Sequence, residues 1–516
     1  MALFNVSNGR AQFDAAGNEP GDVYGAGVRL TQSGATRVTT TAGTDFNGGI
    51  PMSSTGQVSV VDATAGLPAD TIYLNGLPIS NNAVCVSRNA AAVVSNGLPF
   101  DSAGAVAGDI NLDLNFVGAT SLNSSVTFTR ASTATFFNSA GVLTSAAINA
   151  PRFDYDPSTL AAQGLLIEES RTNLITSSAV LPAGVNVTIT ADTFVAPDGT
   201  TTGDQILDNA TLGEHYSDSS FTPTAATNYT FSAYIKNIGA SSSNYAVVRM
   251  AGDFAAYVFV QLSDMTVALA GGAGLVANSA SVTPANNGWY RVTVSGLSTG
   301  TVASVARIQV AQSLSLSAYV GTGVGFAVWG RQLEAGAFPT SYIPTTATAL
   351  TRAADVASVN TLSPWFNAAE GTLFAEASVS TVNDSATPFA ASISDPNIVF
   401  ASRNVVASIG RNASSSAVGL RVVSGGVNQL QIDAGTVTPN VSFKAALAYK
   451  TNDGNGSVNG SIATTDTSLT VPVVTTLVLG NAGWLTPSNS VLNGYLRRIV
   501  YYPRRLSNAE LQSITS

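Results

Sequence analysis

The chain is a long succession of short alternating runs. From residue 186 to 345, strand patterns fall at TNYTFSAYIKN, SNYAVVRMA, AAYVFVQLS, GWYRVTVSGL, VARIQVAQ and FAVWGRQLEA. Apolar residues at alternate positions line one face of a strand. Short strands at regular spacing imply a two-sheet sandwich. A second set follows at GTLFAEASVS, NIVFASRN, VVASIGR, VGLRVVSG, NQLQIDA, VSFKAALAYK, GSVNGSIA, TTLVLGN and GYLRRIVYYP, and implies a second sandwich. NDGNG at 452–456 predicts a hairpin turn. Ser507-Asn-Ala-Glu510 fits a capping box opening a short helix over AELQSI, with Leu511 and Ile514 as its docking face. Between the two sets, FPTSYIPTTATALT, with Pro339 and Pro344, reads as an extended linker.

The first 110 residues carry a loose repeat. NGGIPMSSTGQVSVV starts at Asn47, YLNGLPISNNAVCVS at Tyr73 and VSNGLPFDSAGAVAG at Val94, with a weaker echo, NGRAQFDAAG, at Asn8. Each copy reads as turn, proline, short strand, turn, short strand. Asn-Gly favours tight turns with positive φ. Pro51, Pro78 and Pro99 suit strand starts or edges, where a missing donor does no harm. Such hairpins build little core alone and need neighbouring repeats, other protomers or a partner surface. An assembly or anchoring segment is one reading; an ordinary small β-domain is the other.

The expected fold class is therefore all-β: an N-terminal β-hairpin-repeat segment followed by two β-sandwich (jelly-roll) domains. The expected divisions are 1–110, a junction at 111–175, a sandwich at 176–345, and a sandwich with a short C-terminal helix at 354–516.

Composition narrows the function. At 516 residues the chain exceeds one core, and about three to four domains are expected. Charged residues are 10%, against roughly 25% in ordinary soluble proteins. Lysines occur only at 236, 444 and 450. No apolar run approaches the ~18–20 residues that span a bilayer, and MALFNVSNGR lacks the features of a secretory leader. The net charge of −9 and the absence of a basic patch argue against nucleic acid. Cys85, in AVCVS, reads as a buried small residue on a strand, since one cysteine makes no intrachain disulfide.

The scarce charges concentrate between 126 and 175, at Arg130, Arg152, Asp154, Asp156, Glu168, Glu169 and Arg171. An active site or a protein–protein junction would explain this. A glycosidase needs two carboxyls facing one bond at about 5–9.5 Å. Glu168 and Glu169 are adjacent, so on a strand they face opposite ways. Asp154 and Asp156 are spaced for one face, but Asp156 precedes Pro157, which favours a turn role. Ion pairs with Arg130, Arg152 or Arg171 account for the charges more simply, and in a trimer such pairs would fix the register of the chains. His215, in GEHYSD, is the only histidine and lacks a G-x-S-x-G partner, so a structural role is expected. Asp453 has no nearby carboxylate to complete a calcium site. No catalytic, metal or cofactor set is expected. Trp289, Tyr290 and Trp329 lie in strand patterns and read as core, and Trp365 as the plug of the last domain. Trp484, in the polar loop NAGWLTPSNS, and more weakly Tyr216, in EHYSDSS, are the candidate sugar-stacking residues.

TFTRASTATFFNSAGVL, APRFDYDP and GLLIEESRTNLI, in that order and spacing over roughly residues 115–175, resemble a segment of tailed-bacteriophage virion appendage proteins, the head spike or head fibre domain family. APDGTTTGDQILD, NYTFSAYIKN, GWYRVTVSGL and VWGRQLEAGAFPTSYIPT resemble a carbohydrate-binding-module-like jelly roll. GYLRRIVYYPRRLSNAELQSI resembles the end of concanavalin-like or laminin-G-like domains. The resemblance implies a homotrimer on the virion; the unpaired hairpins of residues 1–110, which match no named family, and the chain order point to that section as the attachment to capsid or other virion proteins. It also implies distal sandwiches that reach host surface glycan, with the C-terminal one the expected contact. A tail fibre or tailspike, with or without polysaccharide-degrading activity, is the alternative.

Overall fold

The structure, a computed structural model, describes residues 111–516 apart from 240–243, 273, 277–278, 381–386, 397, 412–415 and 483–489, together with six short strands before residue 111. Cys85 and Trp484 lie outside the described residues.

In the first 110 residues, Phe4–Ser7 pairs antiparallel with Arg10–Gln12, and Ala92–Ser95 with Leu98–Asp101. The Asn8-Gly9 and Asn96-Gly97 dipeptides of the repeat lie between the paired strands in the sequence. Arg37–Thr40 runs parallel to Ser59–Asp62, the latter overlapping the end of the copy that starts at Asn47.

Residues 111–515 form a second unit, built almost wholly of strands. Two six-stranded antiparallel sheets form its central sandwich. One runs in the order Gly184–Val185, His215–Phe221, Ser304–Ala311, Tyr245–Ala251, Tyr257–Gln261, Thr266–Gly271. The other runs Val187–Val195, Thr201–Asp208, Gly325–Ala335, Asn228–Asn237, Trp289–Leu297, Ser281–Pro284. Phe231, Ile235, Val248, Val258, Val294, Ile308 and Phe326 fill the space between them. This interior is what the alternating pattern predicts, because one face of each sheet must leave water.

The C-terminal sandwich has a less obvious origin. Its larger sheet orders Phe153–Tyr155, Ala162–Ile167, Gly494–Tyr502, Glu370–Val379, Phe443–Lys450, Asn455–Val458 and Ser461–Ile462, with Leu112–Asn115 also on Gly494–Tyr502. The opposing sheet orders Val427–Ala434, Val418–Ser424, Val405–Arg411, Phe389–Ser394, Thr476–Leu479, Val356–Val359 and Thr127–Thr129. Strands from before residue 170 thus complete sheets made mostly after residue 350. The central sandwich is inserted between them. Its entry and exit lie side by side, as Arg171–Asn173 pairs with Leu350–Arg352.

Two local expectations change. NIVFASRN is not a strand: it forms an irregular loop with a short 3-10 turn at Phe400–Ser402, and Val399 and Phe400 are exposed. The strand lies one segment earlier, at Phe389–Ser394, where small residues are buried on both faces and leave no alternation to read. The presumed linker FPTSYIPTTATALT is irregular but not free. Phe338, Thr340, Tyr342, Ile343 and Thr345 are buried. Ile343 N–H donates to Gln332 Oε1 (2.6 Å) and Thr345 N–H to Ser178 Oγ (2.8 Å). Tyr342 packs with Trp289, Trp329 and Leu143, the last on the hairpin of Ala134–Phe137 and Leu143–Ala146.

The capping box forms as read. Ser507 N–H donates to Glu510 Oε2 (2.7 Å) and Glu510 N–H to Ser507 Oγ (3.3 Å), opening the helix Asn508–Thr515 with Leu511 and Ile514 buried. The NDGNG turn joins Phe443–Lys450 to Asn455–Val458, with Asn452 at φ 58°.

Candidate functional site

The charged stretch folds into a clasp at the neck of the inserted sandwich. Arg130 comes from the loop after Thr127–Thr129, Arg152 precedes Phe153–Tyr155, and Glu168 follows Ala162–Ile167. They meet Arg352 and Asp355, from the returning chain. Asp355 accepts from Arg130 Nη1 (3.1 Å) through Oδ1, and from Arg152 Nη2 (2.5 Å) and Glu168 N–H (2.9 Å) through Oδ2. Arg152 Nη1 donates to Glu168 Oε2 (2.8 Å), and Arg352 Nε lies 3.5 Å from that oxygen. All five side chains are buried. Three cations face two carboxylates, and backbone carbonyls make up part of the difference: Arg130 donates to Ala147 O (2.7 Å) and Arg152 to Thr135 O (3.0 Å).

The electrostatics match a structural role. Burial alone would raise the Glu168 carboxyl, but Arg352, Arg152 and the Ser341 hydroxyl and N–H outweigh it and hold it at about 2. An acid that stays ionised so firmly is no proton donor at neutral pH. These ion pairs lie within one chain, and no second protomer is needed to explain them. Glu169 pairs with Arg171 (2.5 Å) on the other side of the strand. Asp154 and Asp156 do not work together. A bulge follows Asp154, which accepts from Phe137 N–H (2.7 Å) and Tyr495 Oη (2.7 Å). Asp156 caps its own turn through Ser158 and Thr159 N–H (both 2.8 Å). A shallow cleft of only about 40 Å³ beside the clasp is lined by hydroxyls such as those of Ser132 and Thr351 and by apolar groups such as Ile343, Pro344 and Leu350, and its charged residue, Arg352, is already engaged.

Other sequence candidates are also structural. The His215 ring nitrogens face the carbonyls of Asn186 (2.6 Å) and Tyr319 (3.1 Å), not a serine or carboxylate. Asp453 pairs with Arg505 (2.9 Å). Trp289 and Trp329 are buried, with Nε1 donating to Val195 O (2.8 Å) and Thr202 Oγ1 (2.9 Å), and Trp365 packs edge-on to Tyr501. Tyr290 packs at the edge of the central core.

Tyr216 leads to a different surface, the outer face of the sheet holding His215–Phe221. Register places Tyr216, Gln309, Val247 and Phe259 in one row, and Asp218, Arg307, Arg249 and Tyr257 in the next. Phe259 is buried beneath Tyr245 and Tyr257, which meet it edge-on at 6.2 and 5.7 Å and stay partly exposed. Tyr257 has room because Gly271 stands opposite, where a Cβ would come within 2.9 Å of the phenol oxygen. Arg307 lies 3.3 Å over the Tyr216 ring and holds both acids of the face: Asp218 through two hydrogen bonds (2.6 and 2.7 Å) and Glu214 through one (2.7 Å). Arg249 donates to Gln309 Oε1 (3.2 Å). Half-exposed aromatic rings beside fixed polar groups can stack a flat ligand and orient it. The sequence offered only Tyr216 as a signal for this face. The other residues sit on four strands up to about ninety positions apart in the chain.

No known protein family and no curated protein matches the chain. Among solved structures it is similar to the CBM40 of Ruminococcus gnavus IT-sialidase bound to alpha2,6 sialyllactose, at 17% identity over 29% of this chain and 85% of that one, with a TM-score of 0.24. It is also similar to Trypanosoma rangeli sialidase, at 10% identity over 65% of this chain and 61% of that one, with a TM-score of 0.25. Likenesses this distant carry no argument about what this chain binds.

Proposed function

We propose that the chain is a structural appendage of a tailed-bacteriophage virion, a trimeric head fibre that aids adsorption by holding host surface glycan. The observation that carries the appendage reading is the clasp. Arg130, Arg152 and Glu168 come one each from the three sub-motifs that resemble the head spike or head fibre segment, and they converge on one buried cluster. The resemblance therefore falls on residues that act together rather than on scattered matches. The face of Tyr216, Tyr245, Tyr257 and Arg249 supports the glycan part. One such face would bind weakly, and three on a trimer would gain through avidity. The N-terminal 110 residues attach the fibre to the capsid.

Immunogold labelling of purified particles tests this reading. Full-length chain will decorate the capsid, and chain lacking residues 1–110 will be absent from it. Particles that carry no full-length chain would overturn the proposal. Label on the tail, with loss of polymer viscosity on incubation, would replace it with the tailspike alternative.

A further inference from the structure

The charge pattern of this face specifies its ligand further, given the glycan reading above. Asp218 and Glu214 are both engaged by Arg307. Arg249, the next residue in the row, has no carboxylate within ion-pair distance among the described residues, and it donates instead to the Gln309 amide oxygen. Burial and the adjacent Arg307 disfavour its charge. The amide nitrogen of Gln309, almost wholly buried, has no acceptor at all. Buried donors are normally paired, so one left open beside a half-buried guanidinium calls for an explanation. The Gln309 amide nitrogen lacks an acceptor, and Arg249 has a neutral amide oxygen where a charged one would pair better. Guanidinium and carboxylate match as planar forks, and the pairing is stronger than one with a sugar hydroxyl. The tyrosines alongside offer apolar edges for the sugar ring.

We infer that this face takes a saccharide bearing a carboxylate, such as a uronic acid, with Arg249 as the anchoring cation and Gln309 as the positioning amide. The carboxylate supplies a charged acceptor to Arg249 and an acceptor to the unpaired Gln309 amide nitrogen. The tyrosines hold the ring against the sheet.

The test uses the full-length chain on an array of bacterial surface polysaccharides. Each is immobilised native and after carbodiimide–borohydride reduction of its carboxyl groups to alcohols. Binding is expected only to carboxylated glycans, weaker by at least tenfold after reduction, and falling as salt is raised. Arg249→Gln should lose at least tenfold. Arg249→Lys, which keeps the charge and serves as the folding control, should retain part of the binding. Equal binding to native and reduced polymer overturns the acidic ligand and leaves the glycan reading standing. Carboxylate-dependent binding that survives Arg249→Gln, with the variant's thermal unfolding unchanged, removes Arg249 as the anchor. Binding to no glycan at all defeats the glycan reading itself.

Discussion

Replacing Asp355 with asparagine should open the clasp. The side chain keeps its size, but its charge goes and an amide N–H₂ turns toward guanidinium donors. Asp355 takes charge-assisted hydrogen bonds from Arg130 and Arg152, and its partners are buried with it. Removing one partner of a buried ion pair costs about 3–5 kcal/mol, because the cations left behind can neither rehydrate nor pair. For a sandwich of this size that is a fall of roughly 6–20 °C in the transition it controls. Scanning calorimetry of the full-length chain at pH 7 reads it. Lys450→Ala, which breaks the exposed pair with Glu370 (3.5 Å), is the contrast and should cost less than about 1 kcal/mol. Adding Arg130→Met to Asp355→Asn removes one stranded cation. The double variant should therefore be more stable than the sum of the two single losses allows. A loss below about 1 kcal/mol for Asp355→Asn, or strict additivity with Arg130→Met, would refute the account of the clasp as a coupled buried network.

Asp154 and Glu168 should respond to pH in opposite directions. Burial pushes the Asp154 carboxyl up to about 6, against the Tyr495 and Phe137 hydrogen bonds that favour its ionised form. Its contribution to stability is therefore full below its unfolded pKa of 3.8 and is lost as pH rises through 6. Asp154→Asn should stabilise the protein at pH 7 by at most about 3 kcal/mol, and the gain should vanish by pH 4; a thermal-shift difference that does not change with pH would contradict this. Glu168, held at about 2, contributes stability above its unfolded 4.5 that is lost as pH falls from there toward 2, and Glu168→Gln should flatten that acid limb in the same assay. Ser507→Ala should cost about 1 kcal/mol in urea unfolding by removing one half of the capping box. Gly164→Ala should prevent accumulation of soluble protein, since at φ 120° a Cβ would stand 2.2 Å from the Leu496 carbonyl oxygen where two strands of the C-terminal sheet pair.

What could be read along the chain was local. The all-β class, most strands of both sandwiches, the turn at 452–456 and the helix from Ser507 depend on near neighbours, and residues close in sequence sufficed to find them. The structural use of Arg130, Arg152 and Glu168 was legible too, because arginines and carboxylates sit close together between 126 and 175. Their main partner was not. Asp355 lies 225 positions from Arg130 and 203 from Arg152, and nothing near it in TRAADVAS marks it out. Only the insertion of one sandwich into another brings the two ends of that interval together. The strand at Phe389–Ser394 was hidden for a related reason, since burial of both faces erases the alternation that announces a strand. The proline-rich segment before Leu350 looked like a linker because it lacks regular structure, yet Tyr342 and Ile343 are buried against the neck. The face around Arg249 is a matter of register across four strands. Alternation says which residues leave a strand on the same side; only the pairing of strands decides which of them become neighbours, because hydrogen bonds between distant segments set that register and local sequence does not.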